Sequence, residues 1–309
     1  MSLLLIVERR DPERWKEILL REDVDIDIEI WPEVQHPEKV QFAVVWRHPP
    51  YSLSGFDNLK AVSSLGAGVD HILSDETLPE DIKICRVVDE NLVGQMKEYM
   101  AAAVSNYRLN TFTYYRQQQK GEWQPLTKRS VDSLKIGVMG LGQIGLPVAE
   151  EFVEAGYEVT GWSNSLKEIE GVQTFAGDEG LDDFLAQTNV LICLLPLTPE
   201  TEGILNLELL KKMKHPGFLI NAGRGAQLVE EDLIYALDKG WLTGAQLDVF
   251  REEPLPENHP FWNRENIIIT PHVSAESEPA SVAPQIINNY KRVLSGQPLK
   301  NEVNRERKY

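Results

Sequence analysis

A chain of 309 residues, 42% hydrophobic and 26% charged, has an ordinary globular composition and is too long for one small core, so two domains are expected. Its net charge of −17, from 31 basic and 48 acidic side chains, repels nucleic acid and anionic membranes, and any anion it binds must meet a locally positive site. No apolar run is long enough to span a bilayer.

Residues 3–7 are apolar, lack a basic leader and end at Glu8, so they read as a first strand rather than a signal peptide, while the two cysteines of the chain make a reducing cytoplasm the expected compartment. Further strands are expected over residues 26–31, 42–46, 61–64 and 83–88, with a helix over 12–20. A long helical segment, 91–120, follows. The second half of the chain carries expected strands at 136–139, 158–162, 190–194, 218–221, 244–249 and 267–270. Helical patterns at 147–155, 181–187, 207–213 and 231–239 lie between them. A last helix, 281–294, precedes Gly296-Gln297-Pro298 and a charged tail. Strands alternating with helices imply parallel, doubly wound sheets, and six strands in the second series match a full dinucleotide-binding sheet. Return of the last helix to the first domain makes that domain discontinuous (1–98 with 280–309, around 99–279) and leaves a cleft between the two. Cys85 and Cys193 each sit in an apolar strand-like run. They read as buried thiols rather than a disulfide or a metal pair, and no metal site is expected.

The strand at 136–139 runs directly into Gly140-Leu141-Gly142-Gln143-Ile144-Gly145 and then a helical pattern. Gly140 suits a tight turn, Gly142 lets backbone approach a pyrophosphate, and Gly145 lets the helix pack close to the strand. The helix N-terminus offers free N–H groups and positive dipole to phosphate. Three chemically useful side chains stand at or near later strand ends: Arg224, Glu253 and His272. An arginine fork suits a carboxylate, a histidine suits proton transfer near neutral pH, and a carboxylate beside it holds it protonated.

These segments, with Leu65-Gly66-Ala67-Gly68-Val69-Asp70, Leu194-Leu195-Pro196-Leu197-Thr198 plus Thr201, Asn221-Ala222-Gly223-Arg224-Gly225 and Pro271-His272, resemble the D-isomer-specific 2-hydroxyacid dehydrogenase family, and within it the glyoxylate/hydroxypyruvate reductase group. The resemblance implies a flavodoxin-like substrate domain and a Rossmann nucleotide-binding domain. It implies that Arg224 grips the substrate carboxylate and keto oxygen, that His272 donates the proton, and that Glu253 holds that histidine protonated. Cofactor contacts are implied for Gly140, Gly142, Gln143, Ile144, Gly145, Leu195, Pro196, Ala222, Gly223 and Asp248, the last orienting the nicotinamide amide. Substrate contacts are implied for Trp46, which limits substrate size, and for Gly66, Ala67 and Gly68, whose backbone cradles the carboxylate. Met96 is implied near the nicotinamide. A homodimer built through the nucleotide-binding domain is also implied.

An NAD enzyme carries an acid at the end of the second strand to bind the ribose 2′-hydroxyl. Ser163 stands there, followed by Asn164, Ser165 and Lys167. Nothing in that run repels a 2′-phosphate, so NADP(H) is favoured over NAD(H). Glu278 replaces an arginine that relatives can carry before the proline, which favours small monocarboxylic 2-oxo acids as substrates. The expected reaction is reduction of glyoxylate or hydroxypyruvate, falling off as pH rises and the imidazolium is lost. Alternatives are another 2-oxo acid such as pyruvate or phenylpyruvate, a nucleotide-sensing corepressor or scaffold, and a formate dehydrogenase-like enzyme. Pro271 argues against the last, since those enzymes place glutamine there.

Overall fold

The computed structural model describes residues 1–8 and 10–305, so the end of the charged tail lies outside the described residues. The chain divides into two compact units, Met1–Leu92 with Glu276–Tyr309, and Val93–Ala275.

The first unit contains β1 (Ser2–Val7), α1 (Pro12–Glu22), β2 (Asp27–Ile30), β3 (Val40–Trp46), β4 (Ala61–Ser64), α2 (Asp70–Leu73) and β5 (Lys83–Cys85). Asp11 starts α1 by accepting hydrogen bonds from the backbone N–H groups of Glu13 and Arg14, with Pro12 in the first turn where its missing N–H costs nothing. The five strands pair in parallel in the order β2-β1-β3-β4-β5. This is the flavodoxin-like order, and its direction reverses between β1 and β3. Residues 2–6 of β1 are all buried, as a central parallel strand covered on both faces requires.

The chain then enters α3 (Glu90–Leu109) and α4 (Thr111–Lys120). The single helix expected over 91–120 is therefore two. Asn110 takes a left-handed backbone conformation (φ +59°). Its side chain donates to the Thr127 carbonyl and accepts from Arg129, which ties the segment beyond α4 back to the break. Asparagine tolerates this conformation better than most residues, so a local signal existed, but the bonds that fix it are tertiary.

The second unit continues with β6 (Lys135–Met139), α5 (Gly145–Glu154), β7 (Glu158–Ser163), β8 (Val172–Ala176), α6 (Gly177–Gln187), β9 (Val190–Cys193), α7 (Leu207–Lys212), β10 (Gly217–Asn221), α8 (Glu230–Asp238), β11 (Leu242–Leu247) and β12 (Ile267–Ile269). The sheet order is β12-β11-β10-β9-β6-β7-β8, all parallel. Counted from β6, this is the doubly wound dinucleotide-binding order with one strand added at the far edge. The sheet has seven strands where six were expected. The strand not foreseen is β8, an edge strand in which Val172 alone is buried, so its apolar signal is weak.

The last helix, α9 (Pro279–Leu294), belongs to the first unit. Its Val282, Ala283, Ile286, Ile287, Tyr290 and Val293 share a core with Trp15 and Leu19 of α1 and with Leu3, Leu5 and Phe42 of the sheet. Cys85 and Cys193 are both buried and free, and burial pushes their thiols up to about 11 and about 12 respectively. Among the described residues no helix is long and apolar enough to cross a membrane, and no cluster of side chains could hold a metal ion.

Candidate active site

Strand pairing sets the candidate residues of the second unit along one line. Trp162, Met139, Cys193, Asn221, Leu247 and Ile269 form a continuous row of paired positions across six strands, β7 to β12. Beyond that row, at the carboxyl ends of the strands, lie Ser163, the glycine loop, Leu195-Pro196, Ala222 to Arg224, Asp248 and Pro271-His272. This is the edge at which doubly wound sheets collect ligands.

In the glycine loop, Gly140 has φ +100° and its N–H donates to the Trp162 carbonyl. A Cβ on Gly145 would lie 1.8 Å from the Gly140 carbonyl oxygen, so α5 can start this close to the strand only from a glycine. Gly142 differs: a Cβ there would meet nothing within 4 Å, and the residue is exposed. The chain's own packing does not demand glycine at 142, whereas a pyrophosphate lying over the start of α5 does, and the loop fits such a group. Gln143 is exposed and Ile144 half-buried beside it. At the end of β7, the buried Ser163 donates to the Ser165 carbonyl. Asn164 and Ser165 are exposed, and Lys167 is half-buried. The residue that ends β7 is thus a serine and not a carboxylate.

The loops after β9 and β10 are joined by a residue that sequence reasoning missed. Gln227 is fully buried. Its Nε2 donates to the carbonyls of Leu195 (2.8 Å) and Pro196 (3.1 Å), while its Oε1 accepts the Arg224 backbone N–H (2.9 Å). Thr201 adds a second tie, donating from Oγ1 to the Pro196 carbonyl (2.7 Å). Gly223 is required by the same strut, because a Cβ there would lie 2.5 Å from Gln227 Oε1. A glutamine three residues past a segment start is the spacing of a capping side chain, the one available signal. The Arg224 guanidinium donates to the Gly223 carbonyl (2.8 Å), which fixes the root of its fork at the sheet edge.

His272 and Glu253 are brought together. His272 Nδ1 lies 2.9 Å from Glu253 Oε2 and 3.1 Å from Oε1, and Glu253 Oε1 also accepts the Phe250 N–H. The carboxylate therefore claims Nδ1 for a donated proton and leaves Nε2 as the imidazole's other face. His272 has φ +57°, a conformation that costs a non-glycine residue on the order of 1 kcal/mol and persists only where neighbours over-determine it. Asp248 supplies that constraint. Its backbone carbonyl accepts the His272 N–H (2.8 Å), and its buried carboxylate accepts the N–H groups of Val273 and Ser274 and the Thr270 hydroxyl (2.6 Å). Tyr99 reaches Thr270 Oγ1 at 2.7 Å and is the donor there, because Thr270 gives its own hydroxyl proton to Asp248; burial pushes the phenol above its ordinary value. Asp248 thus acts within the protein as the clamp on the His272 turn. Met96 is buried in the core around β6 and α5, and packing accounts for it.

In the first unit, the Trp46 ring packs on Gly66, where a Cβ would fall 2.6 Å from Cζ3. The carbonyls of the next two residues are tied back: Ser64 Oγ donates to the Gly68 carbonyl (2.7 Å) and Arg86 to the Ala67 carbonyl (3.4 Å). Among the described residues neither the Ala67 nor the Gly68 N–H has a protein acceptor. Successive free N–H groups of this kind form an anion cradle. The loop after Trp46 is anchored by His48 Nε2, buried 3.1 Å from Asp75 Oδ2. Burial pushes the Asp75 carboxyl up, but the Thr77 hydroxyl and N–H together with His48 outweigh it and hold it below its ordinary value. Glu278 is exposed and its N–H caps onto Asp89, at the start of α9.

A family model described as D-isomer specific 2-hydroxyacid dehydrogenase, NAD binding domain, matches residues 101–274. Glyoxylate/hydroxypyruvate reductase A of Serratia proteamaculans is 43% identical over 261 residues, 83% of each chain. The crystal structure of a D-isomer specific 2-hydroxyacid dehydrogenase from Xanthobacter autotrophicus Py2 in complex with NADPH and MES matches with a TM-score of 0.93 at 35% identity, covering 100% of this chain and 99% of that one. An NADPH-dependent glyoxylate/hydroxypyruvate reductase from Sinorhizobium meliloti, crystallised with NADP and sulfate, matches with a TM-score of 0.92 at 34% identity over 100% of both chains.

Proposed function

We propose that this chain, which belongs to the D-isomer specific 2-hydroxyacid dehydrogenase family, reduces a small 2-oxo acid with NADPH, glyoxylate or hydroxypyruvate foremost. The observation that carries the reading is the Glu253–His272 pair at the edge where the glycine loop also emerges. The reduced nicotinamide supplies hydride to the carbonyl carbon. His272 supplies the proton to the carbonyl oxygen from Nε2, with Glu253 stabilising the imidazolium through Nδ1. Arg224 takes the carboxylate and polarises the keto oxygen, a task for a two-pronged fork rather than a point charge. Ala67 and Gly68 offer their N–H groups to the carboxylate, beside Gly66 and Trp46.

Gly140 to Gly145 hold the pyrophosphate, and Leu195, Pro196, Ala222 and Gly223 line the nicotinamide side, their backbone kept in place by Gln227. Ser163, Asn164, Ser165 and Lys167 take the 2′-phosphate, a reading supported by the absence of an acid at Ser163 and by the relatives crystallised with NADPH or NADP. We assign the chain to a reducing cytoplasm, in keeping with its two free buried thiols.

We also propose a homodimer formed through the second unit. Trp123 is 99% exposed and Tyr115 60% exposed, at and just beyond α4, which is apolar surface that a partner would cover. Sedimentation should give a dimer, and Trp123→Ser should shift it toward monomer. An unaltered dimer would move the interface elsewhere.

The test of function follows oxidation of NADPH and NADH in parallel with glyoxylate, hydroxypyruvate, pyruvate and phenylpyruvate. NADPH oxidation with the first two is expected, with D-glycerate as the product from hydroxypyruvate. No oxidation of either cofactor with any of the four would favour a nucleotide-sensing binding protein instead.

A further inference from the structure

The five-stranded sheet of the first unit brings two side chains together behind the Ala67–Gly68 cradle. β4 pairs in parallel with β5 as far as Ser63 with Cys85, so Ser64 and Arg86 stand one step further on, side by side at the carboxyl ends of the two strands. Both turn onto the loop that follows β4. Ser64 Oγ donates to the Gly68 carbonyl (2.7 Å) and the Arg86 guanidinium to the Ala67 carbonyl (3.4 Å). These carbonyls are thus held from the protein side, while the Ala67 and Gly68 N–H groups have no protein acceptor among the described residues.

The two ties differ in what they bring. A serine hydroxyl holds a carbonyl with a neutral hydrogen bond, whereas Arg86 also carries a full charge. Arg86 is half-buried, and loss of water presses its guanidinium down from the ordinary value, with no charged neighbour offsetting that loss. Among the described residues its guanidinium has no acid partner, and its one hydrogen bond is the long one to a neutral carbonyl. Taking a cation out of water is costly, and such charges are normally paired. The carbonyl that Arg86 touches belongs to the same residue as one of the free N–H groups, so an anion on that N–H would pair with the guanidinium as well. The chain carries a net charge of −17, and without a local cation its field would oppose any anion at the cradle.

We infer that Arg86 is the cation of the Ala67–Gly68 cradle, which takes a carboxylate on two N–H groups backed by this one positive charge. Arg86 acts as a positioning residue that keeps the Ala67 carbonyl turned inward, and its charge draws the carboxylate to the N–H groups. The inference rests on the reading that this carboxylate belongs to a 2-oxo acid, and it gives the first unit a charge of its own for that group.

Arg86→Gln separates charge from hydrogen bonding. A glutamine amide can still donate to the Ala67 carbonyl but is neutral, whereas Arg86→Lys keeps the charge. Oxamate is an unreactive amide analogue of a 2-oxo acid, and oxamide is its uncharged counterpart. In calorimetry with NADPH present, the wild type should bind oxamate at least about tenfold more tightly than oxamide, the scale of one charge-assisted contact. Arg86→Gln should weaken oxamate by about tenfold and leave NADPH affinity unchanged, and Arg86→Lys should recover most of the loss. In turnover, Arg86→Gln should raise the KM for glyoxylate by about the same factor while kcat moves far less. Oxamate affinity within about twofold of wild type in Arg86→Gln overturns the inference, and so does a loss in Arg86→Lys as large as that in Arg86→Gln. A tenfold loss of oxamate binding supports Arg86 even if no 2-oxo acid is reduced, an outcome that would sink the reductase reading alone. If Arg86→Gln fails to fold, Arg86→Met takes its place beside Arg86→Lys, and a wild type that does not prefer oxamate to oxamide overturns the inference without any variant.

Discussion

Replacing Glu253 by glutamine removes a charge and almost nothing else. The side chains are isosteric, and Glu253 and His272 are only 14% and 24% exposed, so water does little to screen the change. Glu253 Oε1 accepts the Phe250 N–H, and a glutamine oxygen can keep that bond. Its Nε2 then faces His272 Nδ1 at about the present 2.9 Å. An amide donor there requires Nδ1 to accept, so the imidazole is neutral with its proton on Nε2. The geometry survives, but Nδ1 changes from donor to acceptor and the acid is now neutral imidazole rather than imidazolium. A hydrogen bond to a charged group contributes about 1.5–3 kcal/mol, which converts to roughly 10- to 150-fold in rate. Glu253→Gln should therefore lose that much kcat for 2-oxo acid reduction under saturating NADPH. The KM for the oxo acid should move far less, because Arg224 is untouched, and the thermal midpoint should stay close to wild type. Turnover within about twofold of wild type would refute the role given to the Glu253–His272 contact.

Other consequences follow from the same geometry. Gly145→Ala drives a Cβ to 1.8 Å from the Gly140 oxygen, so both the unfolding midpoint and NADPH affinity should fall, the stability by about 1–3 kcal/mol. Gly142→Ala meets open space and should weaken NADPH binding with no change in unfolding; equal effects of the two on stability would contradict this account of the loop. Gln227→Leu strands the Leu195 carbonyl and the Arg224 N–H, with a stability loss of about 1–3 kcal/mol and weaker binding of both NADPH and oxo acid, read by thermal unfolding and titration. The thiols of Cys85 and Cys193 stay protonated until pH nears about 11 and about 12, so a thiol reagent at mildly alkaline pH should label the protein only after unfolding.

Much of the candidate site was legible in the sequence because its signals are local. The glycine loop sits directly on the end of an apolar strand, and Arg224, Glu253 and His272 each follow a strand that could be read from its own residues. Their alignment along one sheet edge follows from parallel order alone. What escaped is tertiary. Gln227 lies in an ordinary-looking turn and matters only because Leu195 and Pro196 come back to it across the sheet. Asp248 carries an implied cofactor role, yet its buried carboxylate is engaged by the His272 turn, a partnership set by the pairing of β11 with β12. The edge strand β8 has too little apolar pattern to stand out, and the break at Asn110 depends on Arg129 and Thr127 far along the chain.

In the proposed reaction His272 delivers a proton to a 2-oxo acid as hydride arrives from NADPH. The most direct test is single-turnover reduction of hydroxypyruvate by the wild type and by His272→Ala, both preloaded with NADPH and followed by loss of the reduced-nicotinamide absorbance. The wild type should reduce it rapidly and the folded variant should lose roughly 100- to 10,000-fold, the usual range for removing a general acid. A variant that reduces hydroxypyruvate at near the wild-type rate would contradict the role of His272 as proton donor.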